Sequence, residues 1–371
     1  MSAAGPADAA TDPPGADELR RAVEAVLLGG DRTWTRRDIG ERSGVSPERT
    51  AQIWRALGFP VVDDDARVFT DADVEALRAG ERLVGAGLIT EESETAMARA
   101  LGHHLSRLAE WQVHTLWAWL TRDSGSLTSG EALVQQAAAL LPEMELLQRH
   151  VWRRHLAANA GRVLAETEED AREGRARGEA RDGGEPGGDA AGGRVAPSGA
   201  ADVRERAVGF TDMVGYTRMT RGLDSAELVR VIDRFESLTG DVVAEGGGRV
   251  VKTIGDEVLF VCESAADAAD TALELTARAT AEQRLPQVRT GVAHGPLLSR
   301  FGDVYGATVN IAARLTAVAR PDTVLVDTAL AGELAGLAAY ELRALRPVSV
   351  RGYSRLRPVL LRSRRARRTA S

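Results

Sequence analysis

The stretch FTDMVGYT at residues 210–217, together with KTIGDE at residues 252–257, decides the fold and chemistry expected of this chain. Each segment places an acidic residue, Asp212 or Asp256, beside glycine at a predicted strand end or turn. Carboxylate oxygens are hard ligands of the kind that Mg²⁺ and Mn²⁺ prefer. The pair indicates a two-metal enzyme of nucleoside triphosphates, because paired ions can activate a hydroxyl and neutralise a leaving pyrophosphate.

Strand and helix patterns alternate around these two segments. Glycine and aspartate at 255–256 predict a hairpin turn, and an apolar face at helical spacing follows Asp224. The predicted strands are 207–210, 249–254, 258–262, 287–293 and 323–326, and the predicted helices are 225–244, 265–283 and one beginning near 307. This order predicts a mixed sheet flanked by helices, an α+β domain.

Length and composition limit the alternatives. The 371 residues suffice for two domains, and the net charge of -7 argues against a general nucleic-acid-binding surface. The single cysteine, Cys262, allows no internal disulfide, which fits a reducing compartment. No apolar run is long enough to cross a bilayer, and the N-terminus lacks the pattern of a signal peptide. We therefore expect a soluble, cytoplasmic protein without a membrane span.

A segment poor in large apolar side chains divides the chain. Residues 168–202 are rich in glycine, alanine and mixed charge, a composition that cannot offset the entropy of ordering, and they predict a linker. An alternative is that the charged first part, up to about Arg177, extends the preceding helix. Residues 1–16 are expected to form a disordered tail and residues 363–371 a basic, solvated tail.

The region before the linker, residues 17–167, predicts an all-helical domain. Residues 35–59 resemble the helix-turn-helix of MerR-type regulators, which raises the alternative of DNA binding through Arg49 and Arg55. A helical scaffold is the favoured interpretation and DNA is not an expected partner, because no strong basic cluster accompanies the motif. Residues 90–167 carry apolar side chains at helical spacing, which predicts packing and dimer contacts; they include Leu101, Leu105, Leu108 and Trp111.

Four motifs in order carry a resemblance to a known family. FTDMVGYT, GGGRVVKTIGDEVLF, VRTGVAHGPL and DVYGATVNIAARL resemble the successive motifs of class III nucleotidyl cyclases, over about residues 203–362. The resemblance implies a ferredoxin-like catalytic domain that acts as a dimer and converts ATP or GTP to the 3′,5′-cyclic nucleotide and pyrophosphate. His294 is shifted within the third motif relative to the family, and we leave it out of the expected site.

The resemblance implies a role for each metal-site residue. Asp212 and Asp256, helped by the backbone carbonyl of Met213, would hold two divalent cations per site, Mg²⁺ or Mn²⁺. One ion would activate the ribose 3′-hydroxyl, and the other would bind the triphosphate.

The resemblance also implies the residues that bind the nucleotide. Asn310 would orient the ribose, and Arg314, four residues later on the same helix face, would stabilise charge on the phosphate. Lys252 and Asp303 occupy the base-selecting positions, where a lysine donor and a carboxylate acceptor match the edge of adenine and favour ATP. Arg351 falls where relatives place a basic residue on the triphosphate.

In the family the metal carboxylates of one subunit face the base-binding residues of the other, which implies a homodimer with two shared sites. The helical domain followed by a cyclase resembles the mycobacterial pH-responsive adenylate cyclases, so the helical domain is expected to inhibit catalysis. His150 and His155, near the linker, are the candidate pH sensors, and family analogy allows an apolar ligand among the helices. Two alternatives stay open: a guanylate cyclase, which would carry glutamate in place of Lys252, and a DNA-binding regulator with an inactive cyclase domain.

Overall fold

The computed structural model describes residues 16–122, 130–179 and 202–364. The chain divides into two compact units, Met1–Ser198 and Gly199–Ser371. Each unit is described below by itself.

The described part of the first unit contains six helices. Side-chain caps set their boundaries, because Thr35 and Ser46 accept hydrogen bonds from backbone N–H groups of the helices that follow them. An isolated β-bridge joins Trp34 to Phe69. The helices are α1 (Ala16–Leu28), α2 (Arg36–Ser43), α3 (Pro47–Ala56), α4 (Asp71–Gly85), α5 (Glu91–Arg122) and α6 (Gly130–Glu179).

Helix α6 extends past residue 167, where the sequence predicted that the helical domain ends. It continues to Glu179, through the charged first part of the segment predicted as linker. Glu168 and Arg172 form an ion pair of 3.4 Å one turn apart within this extension. The rest of the predicted linker and both predicted tails, residues 1–15, 180–201 and 365–371, lie outside the described residues.

The apolar stripe on α5, which the sequence predicts for packing and dimer contacts, is not part of the buried cluster of this unit. Ile39, Phe69 and Val74 form the small buried cluster of this unit. The stripe residues remain exposed, Trp111 to 64%, and α6 adds a second exposed apolar set. These exposed side chains are Leu101, Leu105, Leu108 and Trp111 on α5, and Leu146, Leu147, Val151, Trp152, Leu156, Val163 and Leu164 on α6.

The second unit alternates strands and helices, as the sequence predicted. Asp224 begins its longest helix with a capping box, accepting from the Glu227 N–H at 2.7 Å. In chain order the elements are β1 (Asp202–Met213), α7 (Tyr216–Met219), α8 (Ser225–Glu245), β2 (Arg249–Ile254), β3 (Glu257–Cys262), α9 (Ala265–Ala281), β4 (Val288–Arg300), β5 (Asp303–Tyr305), α10 (Ala307–Val318), β6 (Thr323–Val326), α11 (Thr328–Glu333), β7 (Tyr340–Ala344), β8 (Val348–Val350), β9 (Tyr353–Leu356) and β10 (Val359–Ser363).

The main sheet has the strand order β2-β3-β1-β4-β6-β10-β7, with β5 paired to β4. Its first half follows the connection β1-α8-β2-β3-α9-β4 with antiparallel neighbours, which is the ferredoxin-like arrangement that the motifs implied. Strands β4 and β6 are parallel, and β8 and β9 form a separate two-stranded sheet.

Helices cover both faces of the sheet. Ala207 and Met213 of β1 lie in a large core with α8 and α9, whereas Val208 and Phe210 lie in the core under α10. Because side chains alternate along a strand, Asp212 shares the α10 face with Val208 and Phe210. The candidate site therefore lies on the side of the sheet that carries α10.

Candidate active site

The fold brings the two predicted metal carboxylates together. Asp212 lies near the end of β1, and Asp256 lies in the turn between β2 and β3, where Gly255 adopts a left-handed φ of 64°. The Met213 N–H donates a hydrogen bond of 3.1 Å to the backbone carbonyl of Asp256. This bond joins the end of β1 to the turn between β2 and β3, and it holds both carboxylates at the same end of these strands.

Two charged residues that the sequence analysis missed flank Asp212. Glu257 on β3 and Arg289 on β4 lie directly across from Asp212 in the ladder. The Nε and Nη2 atoms of Arg289 donate to Oδ2 of Asp212 at 2.7 and 2.6 Å, and Nη1 donates to the Ala317 carbonyl on α10. Only strand register reveals these neighbours, since 77 residues separate Asp212 from Arg289 in the sequence.

Burial and the mutual repulsion of the carboxylates raise the pKa values of two acids in this cluster, Glu257 and Asp256. Burial, reinforced by the carboxylates of Asp212 and Asp256, raises the pKa of Glu257 to about 7. Burial, together with the neighbouring Asp212, also raises the pKa of Asp256. Cations are therefore favoured here, because they relieve the repulsion among the carboxylates.

The residues fit divalent metal ions of the hard class. The Arg289 guanidinium lies against Asp212, which shows that this carboxylate attracts a positive charge. The atoms available as metal ligands are carboxylate and carbonyl oxygens, which hard cations prefer. Within the described ranges, no group of three or more His, Cys, Asp or Glu side chains is placed to hold a metal. Asp212, Asp256 and the Met213 carbonyl would therefore share the ions with phosphate oxygens of a nucleotide, the usual mode for Mg²⁺.

The two base-selecting residues are in contact. Nζ of Lys252 on β2 donates to Oδ2 of Asp303 at the start of β5, at 2.5 Å. Burial alone would raise the pKa of Asp303, but hydrogen bonds from Lys252 and the Val304 N–H, with the lysine charge, lower it below its ordinary value. Both side chains stay partly exposed, at 39% and 25%, so a ligand can reach them.

Composition held a further signal for Lys252. It is the only lysine among the 47 basic residues, and every other one is arginine. Lysine presents a compact ammonium group on a flexible stem, whereas arginine presents a wide planar fork. The exception at this position is consistent with a requirement for a point donor.

The remaining predicted site residues are accessible. Asn310 is exposed and Arg314 half-buried on α10, and neither side chain makes a hydrogen bond or ion pair within the described part of the chain. Arg351 is exposed in the turn between β8 and β9, and His150 and His155 are exposed on α6. Within the described part of the catalytic unit, no side-chain hydrogen bond or ion pair joins Asn310, Arg314 or Arg351 to Asp212 or Asp256.

The helix-turn-helix-like segment does not offer Arg49 to a partner. Its guanidinium is 15% exposed and lies among three carboxylates, with Glu91 at 2.5 Å, Glu81 at 3.9 Å and Glu94 in hydrogen-bond contact. Arg49 therefore links α3 to α4 and α5. Of the two arginines considered for DNA contact, only Arg55 is exposed.

The same helices enclose a cavity of about 290 Å³. Its walls are mostly apolar and include Ile53, Trp54 and Leu101. Thr50, which is 1% exposed, is one of the lining residues, and its hydroxyl has no hydrogen-bond partner among the described residues. An apolar ligand with one polar group fits such walls.

Comparison with known proteins places this site in a family. The profile of the adenylate and guanylate cyclase catalytic domain matches residues 200–363, and that of the adenylate cyclase regulatory domain matches residues 15–157. An adenylate cyclase of Streptomyces coelicolor is 39% identical, over 86% of this chain and 77% of its own length. The chain belongs to the class III adenylate cyclases. It is therefore an enzyme, a phosphorus-oxygen lyase that depends on divalent metal ions.

Other relatives and solved structures also resemble this class III cyclase. An adenylate cyclase of Glutamicibacter nicotianae is 38% identical over 91% of this chain and 80% of its own length. A pH-sensitive adenylate cyclase of Mycobacterium tuberculosis is 32% identical over 84% of this chain and 74% of its own length. The crystal structure of an adenylate/guanylate cyclase/hydrolase from Silicibacter pomeroyi matches with a TM-score of 0.40 at 26% identity, over 43% of this chain and 97% of that one.

The family matches confirm the catalytic fold and the helical regulatory domain predicted from the sequence. None of the helices in the described part of the cyclase has both the length and the apolar character needed to cross a membrane.

Proposed function

We propose that this cyclase converts ATP to 3′,5′-cyclic AMP and pyrophosphate. The contact between Lys252 and Asp303 carries the proposal. It places a donor and an acceptor side by side, as the ring nitrogen and exocyclic amine of adenine require. Guanine would present a carbonyl to the carboxylate and a ring N–H to the lysine, so both contacts would be repulsive. The adenylate cyclase names of the relatives support the same nucleotide.

In the proposed reaction the ribose 3′-oxygen loses its proton and bonds to the α-phosphorus, as the bond from that phosphorus to the β-phosphate oxygen breaks. Asp212, Asp256 and the Met213 carbonyl would hold two divalent ions, Mg²⁺ or Mn²⁺. Such ions lower the pKa of the 3′-hydroxyl and neutralise the leaving pyrophosphate when bound. Arg289, now paired with Asp212, would be freed to face the triphosphate oxygens.

The other residues position the nucleotide. Asn310 would orient the ribose, and Arg314 would spread its donors over the phosphate oxygens as charge accumulates in the transition state. Arg351 would contact the triphosphate. In the described chain Asn310 and Arg314 have no side-chain partners, so their donors are available to a substrate.

The site would be completed by a second copy of the chain, in a head-to-tail homodimer with two shared sites. The carboxylates of one subunit would meet Lys252, Asp303, Asn310 and Arg314 of the other. The exposed apolar side chains of α5 and α6 support self-association, because long apolar helix faces are rarely left in water.

A direct assay tests the activity. The purified chain with Mn²⁺ should form cyclic AMP and pyrophosphate from ATP, with GTP turned over poorly. Asp212→Asn should remove the activity without unfolding the chain. Equal rates with GTP would favour the guanylate cyclase alternative, and no product from either nucleotide would favour an inactive cyclase domain.

The single lysine provides a second test, independent of turnover. Reductive ¹³C-methylation should label Lys252 and the N-terminal amine only, and methylated lysine keeps its charge and one N–H. The Lys252 resonance should shift when ATP is added with Ca²⁺ and respond less to GTP. A resonance that ignores both nucleotides would contradict the assignment of Lys252.

We further propose that the first unit inhibits the catalytic dimer and that protonation of His150 and His155 relieves the inhibition. Both imidazoles are exposed on α6, the helix that leads toward the catalytic unit in the sequence, and histidine is the usual pH-responsive side chain of proteins. The cavity beside Thr50 is the proposed place for an apolar ligand. A His150→Gln, His155→Gln variant should lose the pH response of the full chain, whereas the matched His103→Gln, His104→Gln variant should keep it.

DNA binding is not part of the proposed function, because the ion pairs of Arg49 with carboxylates occupy one of the two arginines considered for it. A cytoplasmic location remains the prediction made from the sequence.

A further inference from the structure

The C-terminal region of this acidic chain is strongly basic. Residues 340–371 contain ten arginines and a single acidic residue, Glu341, although the whole chain has a net charge of -7. Three of these arginines follow residue 364 and lie outside the described residues. The proposed reaction accounts for only one of the ten, Arg351.

The seven described arginines are exposed and unpaired. They form what we call the arginine edge: Arg343, Arg346, Arg351, Arg355, Arg357, Arg362 and Arg364. None of them makes an ion pair with a carboxylate in the part of the chain that the structure covers. Elsewhere exposed arginines do so, as Arg234 with Glu282 at 2.6 Å and Arg278 with Glu245 at 2.5 Å. Unpaired charges at this density repel one another, which favours binding of a polyanion.

Apart from Arg351, which is also a candidate contact of the triphosphate, the arginine edge lies away from Asp212 and Lys252. It spans the edge strand β7, the β8-β9 sheet and β10, with Leu356 and Leu360 buried beneath it. Strand β7 is four strands from β1 in the sheet, a separation of about 19 Å at the usual strand spacing. A partner on this edge would leave Asp212 and Lys252 accessible.

We propose that the arginine edge binds the surface of an anionic membrane through the phosphate groups of acidic phospholipids. Clustered basic side chains bind such surfaces through charge alone, without inserting apolar groups. Nucleic acid is less suited, because residues 340–364 contain no helix to enter a groove. Their two aromatic side chains, Tyr340 and Tyr353, are buried and half-buried, so neither is free to stack on bases.

Vesicle co-sedimentation of the full chain tests the proposal. The test variant changes Arg343, Arg346, Arg355 and Arg357 to Gln and leaves Arg351 intact. The control changes four exposed arginines outside the edge to Gln and removes the same charge: Arg107, Arg230, Arg284 and Arg320. Protection of the buried Cys262 thiol shows that each variant is folded.

The natural chain and the control should bind phosphatidylglycerol-containing vesicles at about 50 mM NaCl, ignore pure phosphatidylcholine, and dissociate at about 300 mM NaCl. The test variant should bind at least about thirtyfold more weakly, since each basic side chain near the surface contributes about fivefold. No binding by the natural chain, or an equal loss in the control, overturns the proposal. Tighter binding to a short DNA duplex than to vesicles, sensitive to the same four arginines, would reassign the edge to nucleic acid.

Discussion

The packing of α10 on the sheet depends on the absence of one side chain, and Gly291→Ala is the sharpest probe of it. Gly291 lies in β4 between Phe210 of β1 and Leu325 of β6. A Cβ atom added there would lie 2.3 Å from the Thr316 backbone nitrogen and 2.6 Å from the Ala312 carbonyl oxygen. Both atoms belong to the backbone of α10, so no side-chain rotation relieves the overlap.

The helix must therefore move by about 1 Å, since nonbonded atoms need about 3.5 Å. Overpacking of this kind costs about 1–3 kcal/mol, and we expect the upper end because the Thr316 hydroxyl also ties α10 to the Phe210 carbonyl at 3.2 Å. The same shift moves Asn310 and Arg314. A misplacement of about 1 Å lowers turnover about a hundredfold.

The only cysteine provides an assay confined to the catalytic unit. Cys262 is 1% exposed in β3, so its reaction with a thiol reagent in a urea series reports unfolding of this unit. With a slope of about 2 kcal/mol per M urea, the midpoint should fall by about 1 M or more. Gly240→Ala is the control, because its Cβ meets nothing within 4 Å and alanine favours the helix.

The reasoning fails if Gly291→Ala unfolds at the natural midpoint and keeps the natural kcat. A stability loss without a loss of kcat would show that α10 packs here as described, but that its position does not govern the chemistry.

Two further predictions concern the charge pairs. Lys252→Met removes a hydrogen bond that lowers the pKa of Asp303, so the pKa of Asp303 should rise. The acidic limb of the pH profile of kcat/KM for ATP should therefore move to higher pH. If the limb does not move, Asp303 is excluded as the group whose titration sets it. Arg49→Met leaves Glu94, whose side chain is 8% exposed, without its main partner, and should lower the unfolding free energy of the first unit by about 3 kcal/mol. Tryptophan fluorescence measures the second effect, since every tryptophan lies in that unit, and an unchanged urea midpoint would contradict it.

The fold of the catalytic unit was largely predictable because its signals are local. The cap at Asp224, the apolar face of α8 and the glycine turn at Gly255 gave helix and strand bounds close to those observed. Strand β1 was predicted too short, as 207–210. Its charged first half shows no apolar alternation and is held by pairing with β4 along the whole strand.

Part of the candidate site could not be predicted from the sequence, because it depends on the pairing of distant strands. The family motifs implied a shared base-selecting role for Lys252 and Asp303 but not their contact. Arg289 and Glu257 join Asp212 only through the register of three strands. The stripe on α5 was assigned to packing and dimer contacts from its spacing, because spacing does not tell a core face from a face that binds a partner.

Subunit complementation tests the central claim, a shared active site, most directly. Asp212→Ala removes a metal carboxylate, and Arg314→Ala removes the arginine proposed to act in the other half of the site. Each variant alone should form no cyclic AMP. In an equal mixture half of the dimers carry one of each, and each such dimer has one intact site, so about a quarter of the natural activity should return. Silence of a mixture in which heterodimers have been isolated, or activity in either variant alone, would contradict the account.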